Sequence, residues 1–393
     1  MIKRLSCLFL ASAACTAEEP PPQDLDAATE AAAGGSFRSV EGDPLLDERV
    51  TIGIADASPD PAGMFRFPEQ LPGRLVLRSV ATGWTGASVG LPMATGLTSA
   101  TRLVSAPRGA EPRDLADAVV LPSDALTWMF RPGSLLRDDV PATGTAAFGL
   151  YRVADGDPVS PGGRTWLRAD QYEEPFDAFV IFEVAPPYQD DGEALDLVEA
   201  GASVTWEVGA DWPHAERVDL GLYVFDLGES WWKKAKSLEV IDGVITADAS
   251  SVGWLAIGAA AAEAACVTGT VMLDGLPVHG AEITVTEGPR PGVDRVYTDA
   301  AGAFCAQTLP GATATLSVFG WGPSGDTLGT GGATVLAAGT GCGEPASCAS
   351  VGSVDMTWIG DADGDGYWPG EGDCDDGDVA VNPIVSGDLC IGG

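Results

Sequence analysis

The feature that most constrains this chain is a short-range alternation of apolar and polar residues. It recurs at 50–54 (VTIGI), 176–184 (FDAFVIFEV), 203–208 (SVTWEV) and 218–225 (VDLGLYVF), with Gly, Pro and Asp between the runs. A period of two puts successive side chains on opposite faces of a strand, so each run predicts a half-buried β-strand. Helical periodicity is scarce. We therefore expect an all-β chain, and its 393 residues suffice for two or three domains.

The first fifteen residues resemble a secretion signal. Lys3 and Arg4 precede an apolar run, residues 5–14, which is followed by Cys15. A basic start, about ten apolar residues and small residues before a cleavage point are typical of export signals. A membrane-spanning helix needs about twenty apolar residues, so this run is too short to cross a bilayer.

The sequence Ser12-Ala13-Ala14-Cys15 is similar to the processing site of bacterial lipoproteins. That resemblance implies lipidation of Cys15, and Thr16 in place of Asp implies the outer membrane of a Gram-negative cell. The run 11–13 (ASA) would also suit ordinary signal peptidase, which leaves plain secretion as the alternative. We expect an exported protein, either an outer-membrane lipoprotein or an extracellular or periplasmic one.

Residues 16–42 contain prolines, acids, Ala and Gly and few large apolar side chains. Such a composition cannot build a core, so the segment is predicted to be a disordered tether.

The charge balance restricts the partners. The chain has 21 Lys and Arg against 57 Asp and Glu, a net charge of −36, and only two histidines. A surface this negative repels phosphate backbones and anionic headgroups, so nucleic acid is excluded and membrane contact is expected only through an N-terminal lipid. Cations are the natural partners.

Six cysteines lie within residues 266–393: Cys266, Cys305, Cys342, Cys348, Cys374 and Cys390. An even number in an exported segment predicts three disulfides. Six cysteines allow fifteen pairings, and the sequence does not select among them. Proximity along the chain favours Cys342 with Cys348 and Cys374 with Cys390, which leaves Cys266 with Cys305.

Two segments of the chain share five landmarks. Residues 60–84 and 299–321 each contain Asp-x-x-Gly-x-Phe, then Leu-Pro-Gly, a further alternating run and Gly-Trp. Asp and Gly predict a tight hairpin, and the Phe is expected to be the first inward residue of the next strand. The coincidence predicts two copies of one β-sandwich unit.

Residues 266–285 (CVTGTVMLDGLPVHGAEITV), followed by 298–304 (TDAAGAF), strongly resemble the carboxypeptidase regulatory-like, or transthyretin-like, domain. That resemblance implies a seven-stranded, non-catalytic accessory sandwich at 263–356 and a weaker copy at 43–110. Residues 111–262 are predicted to be a further β-rich domain of the kind found beside such units. The predicted fold class is thus multi-domain β-sandwiches, transthyretin- or Ig-like, with an irregular C-terminal segment.

The last segment, 357–393, is rich in aspartate. Carboxylates at positions 1, 3 and 5 with Gly at 6 match the front of a calcium loop, although position 12 is Gly372 and flanking helices are absent. The pattern resembles Asp-rich metal-binding repeats of bacterial surface proteins and, more distantly, thrombospondin type 3 repeats. An all-oxygen donor set favours Ca²⁺ over zinc or copper. The expected ligands are Asp361, Asp363, Asp365, Tyr367 (carbonyl), Asp373, Asp375, Asp376 and Asp378. A solvated acidic tail is the alternative.

The sequence contains no HExxH, GxSxG or GxxxxGK[ST] motif, and His214 and His279 are predicted to lie in turns. Trp231 and Trp232, beside lysines, are expected to pack in the core, although an exposed ring there could stack on a sugar. We therefore expect a non-catalytic cell-surface adhesion or scaffold protein, stabilised by calcium, whose partner is an unknown surface protein or glycan. The alternatives are a carbohydrate-binding protein that uses exposed Trp residues, and an accessory component of a secreted hydrolase.

Overall fold

The computed structural model confirms the fold class: the chain is all-β and is built from several packed sheets. It describes residues 33–39, 43–45, 49–52, 55–59, 63–67, 75–80, 87–91, 99–105, 111–157, 159, 161, 165–167, 173–189, 194–226, 231–261, 264–273, 275–288, 290–321 and 328–359. Among these residues the only helical element is a short 3₁₀ turn, Pro345–Ser347. None of the residues placed in the structure forms a helix long and apolar enough to cross a bilayer.

Seven strands form an N-terminal β-sandwich: β1 Ala33–Ser39, β2 Arg49–Ile52, β3 Ala55–Ala57, β4 Met64–Phe67, β5 Leu75–Val80, β6 Ala87–Leu91 and β7 Ser99–Ser105. One sheet has the order β4-β1-β7 and the other β3-β2-β5-β6. In the first sheet β1 is central, antiparallel to β4 and parallel to β7.

The position of β1 corrects the predicted boundary between the tether 16–42 and the first sandwich at 43. Ala33–Ser39 lies within the predicted tether, yet it is the central strand of a sheet, and Phe37 is completely buried. The composition was misleading because this strand contributes only one large apolar side chain to the core. It is held in the sheet by main-chain hydrogen bonds to the strands on both sides. Residues 16–32 lie outside the described residues.

Sixteen strands form the middle unit. They are β8 Glu111–Asp114, β9 Val119–Ser123, β10 Leu126–Phe130, β11 Leu135–Arg137, β12 Val140–Pro141, β13 Thr145–Phe148, β14 Leu150–Arg152, β15 Thr165–Leu167, β16 Glu173–Val184, β17 Asp196–Leu197, β18 Ala202–Glu207, β19 Gly221–Asp226, β20 Trp231–Ser237, β21 Val240–Ile241, β22 Val244–Ala249 and β23 Gly253–Ala260.

The largest sheet of the middle unit has the order β14-β16-β15-β20-β19-β23, and pairing of β16 with β23 closes five of its strands into a ring. One face of this sheet packs against the sheet β21-β22-β18-β10-β9 around Trp128, Phe182 and other apolar residues. The opposite face carries a second core with Phe176, Trp232 and Trp254. The run 176–184 was predicted to be half-buried, but it is buried along nearly its whole length because both of its faces are covered.

Nine strands form the C-terminal sandwich: β24 Ala265–Leu273, β25 Leu276–Pro277, β26 Glu282–Glu287, β27 Asp294–Tyr297, β28 Ala303–Thr308, β29 Thr313–Trp321, β30 Leu328–Leu336, β31 Ala349–Asp355 and β32 Thr357–Ile359. One sheet is β25-β24-β28 with β31 beside β24, and the other is β27-β26-β29-β30-β32. Apolar residues of both sheets, among them Val271, Val285 and Leu316, share one core.

The two sandwiches have the same topology. The sheet β28-β24-β31 repeats β4-β1-β7, including the parallel pairing, and β27-β26-β29-β30 repeats β3-β2-β5-β6. Equivalent main-chain hydrogen bonds join Phe37 N to Gly63 O and Val271 N to Gly302 O, both at 2.8 Å. The internal repeat predicted from five landmarks is therefore a repeat of the fold. β7 also runs close to β26 and β29, so the two copies lie side by side.

The Asp-x-x-Gly-x-Phe turn differs from the predicted hairpin in one respect. Gly302 has a φ of +71°, and the Asp299 carboxylate accepts hydrogen bonds from the amides of Ala301 and Ala303. Phe304, on the following strand, is buried as predicted. However, β27 and β28 belong to different sheets, because the turn carries the chain across the core.

Candidate functional site

A loop of the C-terminal sandwich docks on the middle unit. The amide of Gly156 donates to the carbonyl of Arg290 at 2.9 Å, and the amide of Gly292 donates to the carbonyl of Ala154 at 3.1 Å. Asp155 forms isolated β-bridges with Pro291 and Gly292. Main-chain hydrogen bonds therefore fix the position of the loop residues 290–292.

A buried carboxylate reinforces this junction. The side chain of Asp177, on β16, is only 7% exposed; it pairs with Arg290 across the junction, and its Oδ2 lies 3.8 Å from Nη1 of Arg217. Arg217 also donates two hydrogen bonds to Asp219, at 2.9 and 2.6 Å, and one to the carbonyl of Ala260 at 2.6 Å. Two guanidinium groups thus balance two carboxylates.

The same pairing shifts the ionisation of Asp219 and Arg217. The hydrogen bond from Arg217 is the main reason that the pKa of Asp219 lies below its usual value, and burial opposes this effect. The hydrogen bond to Asp219 likewise raises the pKa of Arg217. Both groups are therefore charged at neutral pH.

An aromatic cluster lies beside these charges. Phe179 stacks on His214, with ring centroids 4.4 Å apart, and meets Trp212 edge-on at 5.2 Å. Trp212 also contacts Trp206 at 5.4 Å and His214 at 5.2 Å. Trp206 is buried, whereas Phe179, Trp212 and His214 are half-buried and keep part of their surface open to solvent.

Local structure explains how these rings come together. The pairing of β16 with β23 shifts register between Ala178 and Val180, so Phe179 occupies a β-bulge. A bulge re-aims one side chain of a strand, and here Phe179 meets the loop between β18 and β19 that carries Trp212 and His214.

The aromatic cluster forms one wall of a cleft of about 590 Å³ between the middle unit and the C-terminal sandwich. The opposite wall includes Glu287, Gly288, Arg290 and the turn 309–313. Glu287 is buried and accepts a hydrogen bond from the amide of Leu309 at 3.2 Å, which holds the turn in place. We name this region, with the rings Phe179, Trp212 and His214 on one side and Gly288 and Gly311 on the other, the aromatic cleft.

Sequence reasoning missed the aromatic cleft. His214 was predicted to be a surface turn residue, and it does lie in a turn, but its ring is stacked in the cluster. The sequence Trp212-Pro213-His214, with two aromatic rings in a loop, was the available signal. The sequence could not place the loop against the opposite wall, which residues 287–313 provide much further along the chain.

The other histidine, His279, lies in a bend between β25 and β26, as predicted. Burial lowers its pKa, and the nearby charge of Asp299 partly opposes the shift.

Trp232 is buried, as core packing predicted. Its exposed fraction is 1%, and its ring packs against Phe176 and Phe225 with centroids 5.6 and 5.2 Å away. It therefore has no surface for a sugar. The side chain of Trp231 lies outside what the structure describes.

The expected calcium ligands, Asp361 to Asp378, fall outside the described residues, as do Cys15, Cys374 and Cys390. Calcium binding and lipidation thus stay predictions.

The four remaining cysteines form disulfides, but the favoured pairing was wrong. Cys266 is bonded to Cys348, and Cys305 is bonded to Cys342. The reason is the parallel pairing of β24 with β31, which sets Val267 opposite Ala349 and so brings Cys266 beside Cys348. Proximity in sequence could not predict this, because a parallel pair joins residues that are far apart in the chain.

The two bridges are neighbours. The Sγ atoms of Cys305 and Cys348, which belong to different bridges, are 4.0 Å apart, because β24 and β28 are adjacent strands. One end of the C-terminal sandwich is therefore cross-linked twice within a small volume.

No protein-family model matches the chain, and no curated protein sequence matches it. Among solved structures, it is similar to the Bacillus anthracis TIE protein at 9% identity and a TM-score of 0.18, over 84% of this chain and 51% of the other. BcpA, the major pilin subunit of Bacillus cereus, matches at 8% identity and a TM-score of 0.17, over 83% of this chain and 99% of the other.

The full-length major pilin SpaD from Corynebacterium diphtheriae matches at 11% identity and a TM-score of 0.18, over 74% of this chain and 86% of the other. The chain spans about half the length of the Bacillus anthracis protein. Identities and TM-scores this low carry no information on function.

Proposed function

We propose that the chain is an exported, non-catalytic cell-surface protein that serves as a rigid scaffold for adhesion. The observation that supports this most directly is the double disulfide cross-link of the C-terminal sandwich. Disulfides form and persist outside the reducing cytosol, so the bridges fit the export signal at the N-terminus. The buried Asp177–Arg290 pair and the docked loop then join this cross-linked sandwich to the middle unit.

Attachment to the cell is proposed to use Cys15. A lipid at this residue would hold the β-sandwiches at the outer membrane, with the residues after Cys15 as a spacer. A single acyl chain gives only marginal membrane binding, so stable anchoring requires more than one chain on the N-terminal cysteine.

The test is to express the full chain in a Gram-negative host and to measure both incorporation of radiolabelled palmitate and protease accessibility on intact cells. We expect the wild-type chain to carry label and to be digested from outside, and Cys15→Ala to lose the label and the membrane fraction. A Cys7→Ala variant, in the apolar run, is the matched control. A chain that stays in the cytoplasm with reduced cysteines would contradict the proposal.

The Asp-rich segment is proposed to bind Ca²⁺ and to stiffen the C-terminal end of the scaffold. Closely spaced carboxylates repel one another unless a multivalent cation lies among them, and oxygen ligands suit Ca²⁺. Asp361, Asp363 and Asp365 would donate side-chain oxygens, Tyr367 a carbonyl, and the later aspartates the remaining ligands.

Terbium luminescence of the full chain, sensitised through Tyr367 and Trp368, tests this site. We expect a saturable signal that about 0.1–1 mM Ca²⁺ displaces, as for extracellular modules. Asp363→Asn with Asp365→Asn should remove the signal, whereas Asp211→Asn with Asp242→Asn, outside the segment, should not. A signal lost only on addition of bulk salt would show a solvated acidic tail instead.

A further inference from the structure

We propose that the aromatic cleft binds an uncharged saccharide. This inference deepens the proposed function, on which it rests for its biological meaning, because it names the class of surface partner. It places the site away from Trp231 and Trp232, at a junction between two units that the sequence did not reveal.

The ring faces provide the first argument. Trp212 and His214 present partly open aromatic surface along one wall of a concave site. Phe179 supports them from behind, because His214 stacks on its ring and Arg217 lies over it. The C–H faces of pyranose rings are apolar and pack on aromatic rings, while the sugar hydroxyls stay at the ring edge. Tyr, Trp and His are suited to such contacts because each combines an apolar face with a polar group.

The opposite wall leaves its main chain open. Gly288 and Gly311 are exposed, and a Cβ added at either residue would meet no atom within 4 Å. Backbone without side chains allows a ligand to approach the peptide groups closely. Thr313, on the same wall, is exposed and adds a hydroxyl group. Peptide groups and a hydroxyl are partners for sugar hydroxyls.

The charges of the site argue against a charged ligand. Arg290 and Arg217 are committed to Asp177 and Asp219, so the four charges neutralise one another. On the Phe179 ring, the position that a cation would take is already occupied by the guanidinium of Arg217, 6.0 Å from the ring centroid. An anion would meet the carboxylate of Glu287, which lines the cleft, in a chain of net charge −36. An uncharged polar molecule is the class that remains.

The size of the cleft fits this class. About 590 Å³ lies within the range of roughly 300–1,000 Å³ that is typical of small-molecule sites, and such sites occur preferentially where domains meet.

The test uses saturation-transfer difference NMR on the purified, oxidised full chain. The probes are the uncharged disaccharides maltose, cellobiose and chitobiose, with anionic digalacturonate as a comparison. We expect at least one uncharged probe to bind with its ring protons saturated, and digalacturonate to bind at least tenfold more weakly. Because the measurement needs no cells, it can fail while surface display succeeds, so failure of either proposal is recognised separately.

Two variants locate the site. Trp212→Ala and His214→Ala should each weaken binding of the same probe about tenfold or more, which corresponds to the loss of one good aromatic contact. Val218→Ala is the matched control, because it lies in the same loop, is 96% exposed and does not line the cleft. If Trp212→Ala lowers the melting temperature, its loss of binding could reflect unfolding. The binding of His214→Ala then tests the site, since His214 lies in a surface turn and its removal should leave the fold intact.

Three results would overturn the proposal. The first is no binding of any uncharged probe to the wild-type chain. The second is unchanged binding in His214→Ala, or loss of binding in Trp231→Ala alone, which would place a site elsewhere. The third is tighter binding of digalacturonate than of the uncharged probes.

Discussion

At the scale of single residues, the turns of the C-terminal sandwich depend on what surrounds each glycine. Gly302 and Gly311 have nearly the same backbone conformation, with φ of +71° and +72°. A Cβ at Gly302 would lie 2.6 Å from the carbonyl oxygen of Val271, whereas a Cβ at Gly311 would meet no atom within 4 Å. Backbone strain is therefore common to both sites, and steric collision is specific to Gly302.

We expect Gly302→Ala to lower the free energy of unfolding by about 2–4 kcal/mol, because strain and collision add. Gly311→Ala should cost about 1–2 kcal/mol, because only the left-handed conformation is penalised. Urea unfolding with linear extrapolation measures both values. Equal losses in the two variants would show that the close approach to Val271 contributes nothing.

Asp219 gives the protein a specific sensitivity to acid. Its pKa is lowered by Arg217, so the unfolded chain takes up a proton at a higher pH than the native one. The stabilisation is thus fully present above the ordinary Asp pKa of about 4 and is lost as pH falls towards the native pKa. Asp219→Asn should flatten the decline of the melting temperature below about pH 4, and Asp211→Asn, at an exposed position, should not. Identical profiles would contradict this assignment.

At the scale of elements, the parallel pairing of β24 with β31 determines the disulfides. Cys266–Cys348 closes a loop of 82 residues and Cys305–Cys342 a loop of 37. Because the sulfur atoms of the two bridges are close, a single cysteine variant would leave a thiol that can attack the other bridge. Bridges are therefore best removed in pairs of substitutions.

Mass spectrometry of unreduced peptides should find Cys266–Cys348 and Cys305–Cys342. Cys266→Ala with Cys348→Ala should then destabilise the chain by about 4 kcal/mol, and Cys305→Ala with Cys342→Ala by roughly 0.7 kcal/mol less, since a longer loop has more unfolded-state entropy to lose. A peptide that links Cys342 to Cys348 would refute the topology of this end of the sandwich.

At the scale of the whole molecule, the junction between the middle unit and the C-terminal sandwich couples their stabilities. Asp177 is the centre of this coupling because it is buried and pairs with Arg290 from the other unit. Removal of one partner of a buried ion pair lowers the free energy of unfolding by several kcal/mol. Here removal of the Asp177 carboxylate would leave Arg290 unpaired with it in a partly buried site. The exposed pair Arg131–Asp248 is a contrast within the same chain.

Scanning calorimetry should show that Asp177→Ala separates the unfolding of the two units, with the middle unit melting first and the disulfide-linked sandwich later. Asp248→Ala should change stability by no more than about 1 kcal/mol, as is usual for surface pairs, and should leave the transition unchanged. An Asp177→Ala profile identical to wild type would mean that the units are not coupled through this carboxylate.

Much of this fold is determined locally, and that part was predictable. Period-two alternation specifies strands wherever one side of a segment packs on a core. The turn at Gly302 and the burial of Phe304 just after it result from local backbone preferences. The repeat of five landmarks predicted two copies of one unit, and their sheets have the same order. These properties depend on residues that are close in sequence.

The remainder depends on contacts between distant segments. β1 has too few apolar residues to be recognised, yet strands on both sides complete its hydrogen bonds. The disulfide pairing follows from a parallel pair of strands, and the aromatic cleft from a β-bulge at Phe179 that meets a loop and the facing turn at Gly311. The sequence alone determined strands, turns and the repeat, because their energetics are local; only the tertiary structure decided partners and clefts, because these require long loops to close in one particular arrangement.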